Sequence, residues 1–271
     1  MVVWRQGERS ELKDAEDSVK PLKERLALGV LTALLLFASA ASAALVKVNG
    51  LVLQADGGFT PRELPRRAFS PIDFRGHADI AATNGGVPAA LQQAVIDFDR
   101  DGRLSTGGLA VCPPGALEEA TPREARDRCP NAIVGAGHVA ALVAPPGQPT
   151  VRARSALTLF NGPRQEGKPT VVLHARMTEP AVQNFAVVIP IERRRGDFAY
   201  RATIDVPPIA GGFGALTHID VRVGKRYRFG GVERSYASAR CSDGILHTHG
   251  RFSFADGTII DGSIEKACSV R

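Results

Sequence analysis

The sequence predicts an all-β protein, an antiparallel β-sandwich of about ten to twelve strands with one short inserted helix, preceded by an N-terminal hydrophobic helix. Three observations favour this class. Turn-forming dipeptides such as Asn84-Gly85 and Asp243-Gly244 recur along the chain. Runs rich in Val, Ile, Thr and Phe lie between them. Glycine and proline supply 28 and 18 of the 271 residues, which suits many turns and few long helices. A closed barrel is the second architecture that this pattern allows.

The first predicted element is the hydrophobic segment Leu26–Val46, which contains no charged residue. Basic residues precede it, and Ala41-Ser42-Ala43 has the small-x-small pattern of a cleavage site. We therefore interpret residues 1–43 as a secretory signal peptide cleaved after Ala43. The alternative is a retained membrane anchor, because about 21 uncharged residues are enough to span a bilayer. Both interpretations export everything after Ala44.

The exported part is expected to form a single domain. Residues 44–70 contain Pro65, Arg66 and Arg67 and are interpreted as an N-terminal lead-in that is partly mobile. Residues 71–271 are assigned to one β-sandwich domain, because they contain neither a long flexible linker nor a repeat of fixed period. The predicted strands are Phe74–Thr83, Leu91–Asp99, Leu104–Val111, Ala132–Val143, Val151–Phe160, Thr170–Thr178, Phe185–Arg193, Phe198–Val206, Leu216–Val223, Ser235–Cys241, Ile245–Phe254 and Thr258–Glu265.

One helix is predicted after Thr121. Thr121 is a suitable N-cap, Pro122 occupies the first helical position, and Glu124 stands three residues after the cap. The helix is expected to end near Arg128, before Cys129-Pro130.

Four cysteines follow the predicted cleavage site: Cys112, Cys129, Cys241 and Cys268. An even number in an exported chain indicates disulfides, and three pairings are formally open. Proximity in the sequence favours Cys112–Cys129 and Cys241–Cys268. A zinc site would need closely spaced cysteine pairs, which the sequence lacks.

The net charge of +6 belongs to the exported part, because residues 1–43 hold six basic and six acidic residues. The densest basic clusters are Arg193-Arg194-Arg195 and the group Arg222, Lys225, Arg226 and Arg228. Such a surface suits anionic envelope polymers or lipids as partners. A solvated polar face is the simpler interpretation. No nucleic-acid-binding motif is present.

The sharpest candidate site is Asp97-Phe98-Asp99-Arg100-Asp101-Gly102, where Asp97, Asp99 and Asp101 have the spacing of a calcium-binding loop. The twelfth position is Gly108, so the bidentate glutamate of such loops is missing. The alternative is a β-hairpin that turns at Asp101-Gly102 and exposes its carboxylates on a solvated face. Ca²⁺ is the one cofactor that the sequence suggests.

His247 and His249 form a second candidate metal site, because alternate residues of a strand share a face. A third ligand is required, and Asp243, His218 and Asp220 are the candidates by chain position. An exposed strand face carrying two histidines is the alternative.

Several segments together resemble a family of exported bacterial proteins of uncharacterised function. They are Asp97–Arg103, Leu159–Gly162, Val206–Gly212 with Thr217-His218, and Phe252–Gly257. The resemblance covers most of residues 70–271. It implies a secreted β-rich domain, and it supplies no catalytic residues because the matching motifs are turns and strands.

We expect an exported, disulfide-stabilised protein that acts as a non-catalytic binding or structural component of the cell envelope or medium. One alternative is a calcium-stabilised extracellular domain. Another is a secreted hydrolase or lyase that uses His218, His247 and His249 with a nearby aspartate. The chain lacks a G-x-S-x-G nucleophile motif, and its aromatic content of 6% disfavours a sugar-binding groove.

Overall fold

The computed structural model describes residues 44–271, so the predicted signal peptide or hydrophobic helix in residues 1–43 lies outside the described residues. The described part contains nineteen strands, one α-helix and three short 3₁₀ segments. The strands are β1 (Ala44–Val48), β2 (Leu51–Thr60), β3 (Glu63–Leu64), β4 (Ser70–Pro71), β5 (Asp73–Ala82), β6 (Leu91–Asp99), β7 (Gly102–Leu104), β8 (Ile133–Val143), β9 (Val151–Gln165), β10 (Lys168–Met177), β11 (Gln183–Arg193), β12 (Phe198–Asp205), β13 (Gly214–Val223), β14 (Arg226–Phe229), β15 (Val232–Ser235), β16 (Ala237–Ala239), β17 (Ile245–Phe254), β18 (Ile259–Ala267) and β19 (Ser269–Val270). The helix α1 spans Pro122–Arg128, and the 3₁₀ segments are Pro114–Ala116, Pro130–Ala132 and Ala210–Gly212.

Twelve strands form one antiparallel sheet in the order β1-β2-β5-β13-β8-β9-β10-β11-β12-β6-β17-β18. Its two edge strands, β1 and β18, contact each other, so the sheet rolls up and nearly closes. We call this the rolled sheet, and we call the line between β1 and β18 the seam. The prediction of an all-β antiparallel fold is confirmed. The two layers of the predicted sandwich correspond to opposite halves of this single sheet.

Alternation along each strand separates an interior face from an exterior face. In β6, Ala94, Ile96 and Phe98 point to the interior, and Asp97 lies on the opposite face, as the alternation of side chains along a strand requires. The interior is closed at one place by a three-stranded sheet, β4-β16-β7, which we call the cap. Tyr236, just before β16, sends its buried side chain from the cap into the interior core.

The helix prediction is confirmed. Thr121 accepts a hydrogen bond from the Glu124 backbone, and the Glu124 side chain accepts one from the Thr121 backbone, which completes a capping box. The segment around α1 covers the outer face of β9 and β10, where Phe160 and Val172 are fully buried beneath it. The Cys112–Cys129 disulfide closes this segment.

A second disulfide joins Cys241 to Cys268 beside the cap, so both bonds follow the pairing that sequence proximity favoured. Two disulfides indicate an oxidising, extracytoplasmic environment. Within residues 44–271, no helix has the length and apolar character needed to cross a membrane.

Residues 44–70 differ from the expected lead-in. They supply β1 and β2 of the rolled sheet, because Leu51 and Leu53 alternate into the core and pair with β5. The strand expected at Leu104–Val111 is also different: it ends at Leu104, and a turn follows in which the Leu109 amide donates to the Thr106 carbonyl. The basic hairpin β14–β15 lies between two predicted strands and was not predicted.

Candidate functional site

The interior of the rolled sheet contains a cavity of about 400 Å³. Its lining is almost entirely apolar and includes Leu53, Ile96, Ile189, Ile204, Val221 and Phe252. These side chains come from strands all around the sheet, since every strand directs alternate residues inward. Phe74 of β5 and Phe98 of β6 meet edge to face inside, with ring centroids 5.6 Å apart. The volume falls in the range of about 300–1,000 Å³ that is usual for small-molecule pockets.

Tyr200 and Tyr236 are among the residues that line this cavity, as are the charged residues Asp56, Arg103 and Asp261. The Tyr200 hydroxyl accepts a hydrogen bond from the Leu104 backbone amide at 3.3 Å. The Tyr236 hydroxyl is buried and has no hydrogen-bond partner among the described residues. Burial also raises the pKa of Tyr236, so its phenol stays protonated at any physiological pH.

The seam borders the cavity. Val46 of β1 and Ile264 of β18 both line the interior, yet no backbone ladder joins these two strands. Beside the seam, side chains join β18 to β2: the Lys266 ammonium lies 2.6 Å from the Asp56 carboxylate, and the side chain of Lys266 is only 7% exposed. The seam is therefore the part of the wall that is held without backbone hydrogen bonds.

Asp97, Asp99 and Asp101 are buried, so the expected solvated face is wrong. The expected hairpin at Asp101-Gly102 is also wrong, because β6 pairs with β12 and β17 while β7 joins the cap. The chain leaves the rolled sheet at this turn because Asp99 and Asp101 fasten it to neighbouring segments.

Each carboxylate has its own partners. Asp97 binds the Arg201 guanidinium through two hydrogen bonds of 2.8 and 2.7 Å. Asp99 accepts from the Asp101 and His247 backbone amides. Asp101 accepts from the Arg240 guanidinium and the Ser242 amide, both at 2.7 Å. The motif thus ties β6 to β12, to β17 and to the segment that enters the second disulfide.

The direction of each pKa shift depends on the balance between burial and these hydrogen bonds. The hydrogen bond from Arg201 holds the pKa of Asp97 below its ordinary value, although burial opposes it. Burial raises the pKa of Asp99, and its two backbone donors offset only part of that. Burial would also raise the pKa of Asp101, but the bonds from Ser242 and Arg240 outweigh it and lower the pKa.

In residues 44–271, no group of three or more His, Cys, Asp or Glu side chains is arranged to hold a metal ion. Calcium binding at Asp97, Asp99 and Asp101 stays a prediction, since their oxygens are directed at separate hydrogen-bond donors.

His247 and His249 share the outer face of β17, as alternation predicted. The Nδ1 atom of His247 lies 3.6 Å from the Glu265 carboxylate, and the Nδ1 atom of His249 lies 3.9 Å from the Asp97 carboxylate. The candidate third ligands are elsewhere: Asp243 pairs with Arg100, while His218 and Asp220 belong to β13.

His218 is separated from β17 by β18, β1, β2 and β5 on the shorter way around the rolled sheet. Its Nδ1 lies 2.7 Å from Asp79, and its Nε2 lies 3.4 Å from Asp220. The hydrogen bond with Asp79 is the main cause that raises the pKa of His218. The structure therefore does not bring His218, His247 and His249 into one site.

The cavity and Tyr236 were missed by sequence reasoning. Alternation correctly marks the inward residues of single strands, but a cavity depends on the summed volumes of side chains from strands far apart in the sequence. A tyrosine at the start of a predicted strand, at Ser235–Cys241, was the one available signal. No family model, curated protein or solved structure matches this chain.

Proposed function

We propose that this protein is exported and binds a hydrophobic small molecule inside the rolled sheet. The observation that carries the proposal is the apolar cavity of about 400 Å³ inside the rolled sheet. Protein interiors are close-packed, and a void of this size forfeits packing contacts that would otherwise stabilise the fold. A bound apolar molecule would restore those contacts and gain the free energy of leaving water.

The frame around the cavity supports binding rather than a purely structural role. Two disulfides and a nearly closed ladder hold the walls in place, so the site exists before the ligand arrives. Preorganisation of this kind lowers the entropic cost of association. The seam offers a route of entry, because separating β1 from β18 breaks no backbone ladder.

The function also fits the class that the sequence suggested, a binding component of the envelope or medium. An apolar molecule is poorly soluble outside the cell and needs a carrier or a receptor there. The basic exterior, with Arg193-Arg194-Arg195 at the end of β11, suits transfer to and from anionic lipid surfaces.

Titration with an apolar fluorescent probe tests the cavity. We expect saturable binding of one probe molecule to the wild type. Ala202→Leu and Ile204→Phe fill the cavity from β12, and each should weaken binding by at least about tenfold. Thr203→Leu, on the opposite face of the same strand, is the matched control and should leave the affinity unchanged. Unchanged affinity in both filled variants, with circular dichroism showing them folded, would contradict the proposal.

Export is tested separately by the intact mass of the protein recovered from culture medium and from membranes. Cleavage after Ala43 with both disulfides formed is expected. Recovery from the cytosol with four free thiols would overturn the proposed location.

A further inference from the structure

The hairpin β14–β15 has an apolar tip that is exposed to solvent. Gly230 and Gly231 form its two-residue turn, and both have the positive φ angles that a tight hairpin turn of this kind requires. Phe229 and Val232 pair directly across the ladder at the tip, where they are 48% and 58% exposed. Two large apolar side chains that lie side by side and half exposed indicate a contact surface rather than a part of the core.

Arginines surround this tip on both faces of the hairpin. Because alternate residues share a face, Arg226 and Arg228 lie on one face, while Arg234 shares the face of Phe229. The Arg234 guanidinium lies 5.3 Å from the centre of the Phe229 ring. Glu233 is the one acidic residue of the hairpin, and it lies 3.9 Å from Arg226. Among the described residues, Arg228 and Arg234 therefore have no acidic partner.

The hairpin is held in place by the turn that follows β7. The Tyr227 hydroxyl donates to the Gly107 carbonyl at 3.0 Å. Phe229 lies against Gly108, where a Cβ atom would overlap the phenyl ring. The apolar tip is thus fixed in its exposed position before any partner binds, which lowers the entropic cost of association.

The combination of charge and apolar surface fits an anionic membrane better than a soluble polyanion. Lipid phosphates attract arginine, and the boundary between headgroups and acyl chains accepts apolar side chains. A soluble polyanion would pair with the arginines, but it would leave Phe229 and Val232 in water.

We infer that the hairpin β14–β15 docks the protein on an anionic lipid surface. Phe229 and Val232 insert among the headgroups, and the arginines beside them bind lipid phosphates. Docking requires no ligand in the cavity, so this inference goes beyond the proposed function and is tested separately from it.

Partition of the full chain into vesicles tests the contribution of charge. Mixed phosphatidylglycerol–phosphatidylcholine vesicles should bind the protein more strongly than phosphatidylcholine alone, and salt should reduce the difference. Arg228→Gln should lower the ratio of the two partition coefficients about fivefold. Arg123→Gln is the matched control, because it removes the same charge from α1, where the side chain is 89% exposed. It should leave the ratio within about twofold of the wild type.

Residues 1–43 do not disturb this comparison. They hold six basic and six acidic residues, and every variant carries the same segment. Their contribution therefore cancels when the ratios of the variants are compared.

Val232→Ser tests insertion of the tip. It should weaken partition into the anionic vesicles about fivefold, because less apolar area leaves water. Val182→Ser is the matched control: Val182 is 59% exposed and precedes β11 at the end of the rolled sheet opposite to the hairpin. It should leave the partition coefficient unchanged, and circular dichroism should show both variants folded.

A tryptophan at the tip reports insertion directly. The chain contains one tryptophan, Trp4, so Phe229→Trp in a Trp4→Phe background gives a single fluorophore. Its emission should shift to shorter wavelengths on the anionic vesicles, and brominated lipid should quench it. Emission that keeps the wavelength of the free protein on bound vesicles would overturn the inference.

The remaining outcomes separate this inference from the proposed function. If Arg228→Gln weakens partition but Val232→Ser does not, the hairpin binds by charge alone, as it would bind a polyanion, and the inference is wrong. Equal ratios for Arg228→Gln and Arg123→Gln would also overturn it. The proposed function stands in both cases if the apolar probe still binds in the cavity. Vesicle docking by a protein that binds no probe would contradict the proposed function only.

Discussion

At the scale of single residues, three buried carboxylates stabilise the fold by accepting hydrogen bonds. Their spacing in the sequence had suggested that they bind a metal ion. Asp97, Asp99 and Asp101 follow the pattern of a calcium loop, yet each accepts hydrogen bonds from a different part of the chain. A lowered pKa means that the folded state favours the carboxylate. The stability contributed by Asp97 and Asp101 is therefore present above their ordinary pKa and is lost as the pH falls through the lowered value.

Asp101→Ala should be strongly destabilising, because it leaves the Arg240 guanidinium and the Ser242 amide without their acceptor. We expect a loss of about 2–4 kcal/mol in the free energy of unfolding, measured by urea denaturation. Asp197→Ala is the control, since the Asp197 side chain is 91% exposed and lies 4.0 Å from Arg100. It should change stability by less than about 0.5 kcal/mol. Equal effects of both substitutions would refute the structural role of Asp101.

His218 gives the fold a pH dependence of the opposite sign. Asp79 and Asp220 raise its pKa, so the folded state binds the proton more tightly than the unfolded chain. Its contribution is complete below the ordinary histidine pKa near 6.5 and disappears as the pH rises through the raised value. The His138 Nδ1 atom also lies 3.4 Å from the Asp220 carboxylate, so a substitution of Asp220 would affect two histidines. Asp79→Asn is therefore the more selective test of His218. That variant should flatten the decline of the unfolding midpoint as the pH rises above 6.5, and an unchanged profile would contradict the assignment.

At the scale of elements, the close approach of β8 and β13 depends on glycine. Gly137 lies opposite Val221 in the ladder, and a Cβ there would overlap the Asp220 carbonyl oxygen. A side chain at this position must push the two strands apart, whatever its chemistry.

Gly137→Ala is therefore expected to lower the free energy of unfolding by about 1–3 kcal/mol or more through overpacking. Gly107→Ala is the matched control, because a Cβ at Gly107 meets no atom within 4 Å and its backbone is not left-handed. Chemical denaturation of both variants measures the difference. If Gly137→Ala is as stable as Gly107→Ala, the inter-strand distance does not depend on this glycine.

At the scale of the whole molecule, the closing of the rolled sheet involves a side-chain pair beside the seam, between Lys266 of β18 and Asp56 of β2. Lys266 is almost fully buried, and its carboxylate partner Asp56 is 23% exposed. Removing one member of a buried pair leaves the other charge uncompensated, and the cost is larger for the more buried charge.

Asp56→Asn should consequently cost about 3 kcal/mol, more than Lys266→Met, while the double variant should be more stable than Asp56→Asn alone. Urea denaturation gives the three free energies, and hydrogen exchange along β1 and β18 reports opening of the seam. Additive effects of the two substitutions would show that the pair does not couple β18 to β2.

The sequence alone determined those features that depend only on residues close together in the chain. The alternation in β6, the capping box at Thr121 and the pairing of nearby cysteines all follow from local geometry, and the structure bears them out. Leu51 and Leu53 carried the same alternation, but the prolines and arginines downstream obscured it.

Only the tertiary structure decided which strands are neighbours and what lies between them. Asp97 meets His249 across a ladder although the two are far apart in the chain, and Tyr236 reaches the core from the cap. Such contacts form only when the sheet rolls up, because they depend on the registers of many strands at once. The cavity exists for the same reason, so no local sequence pattern could predict it.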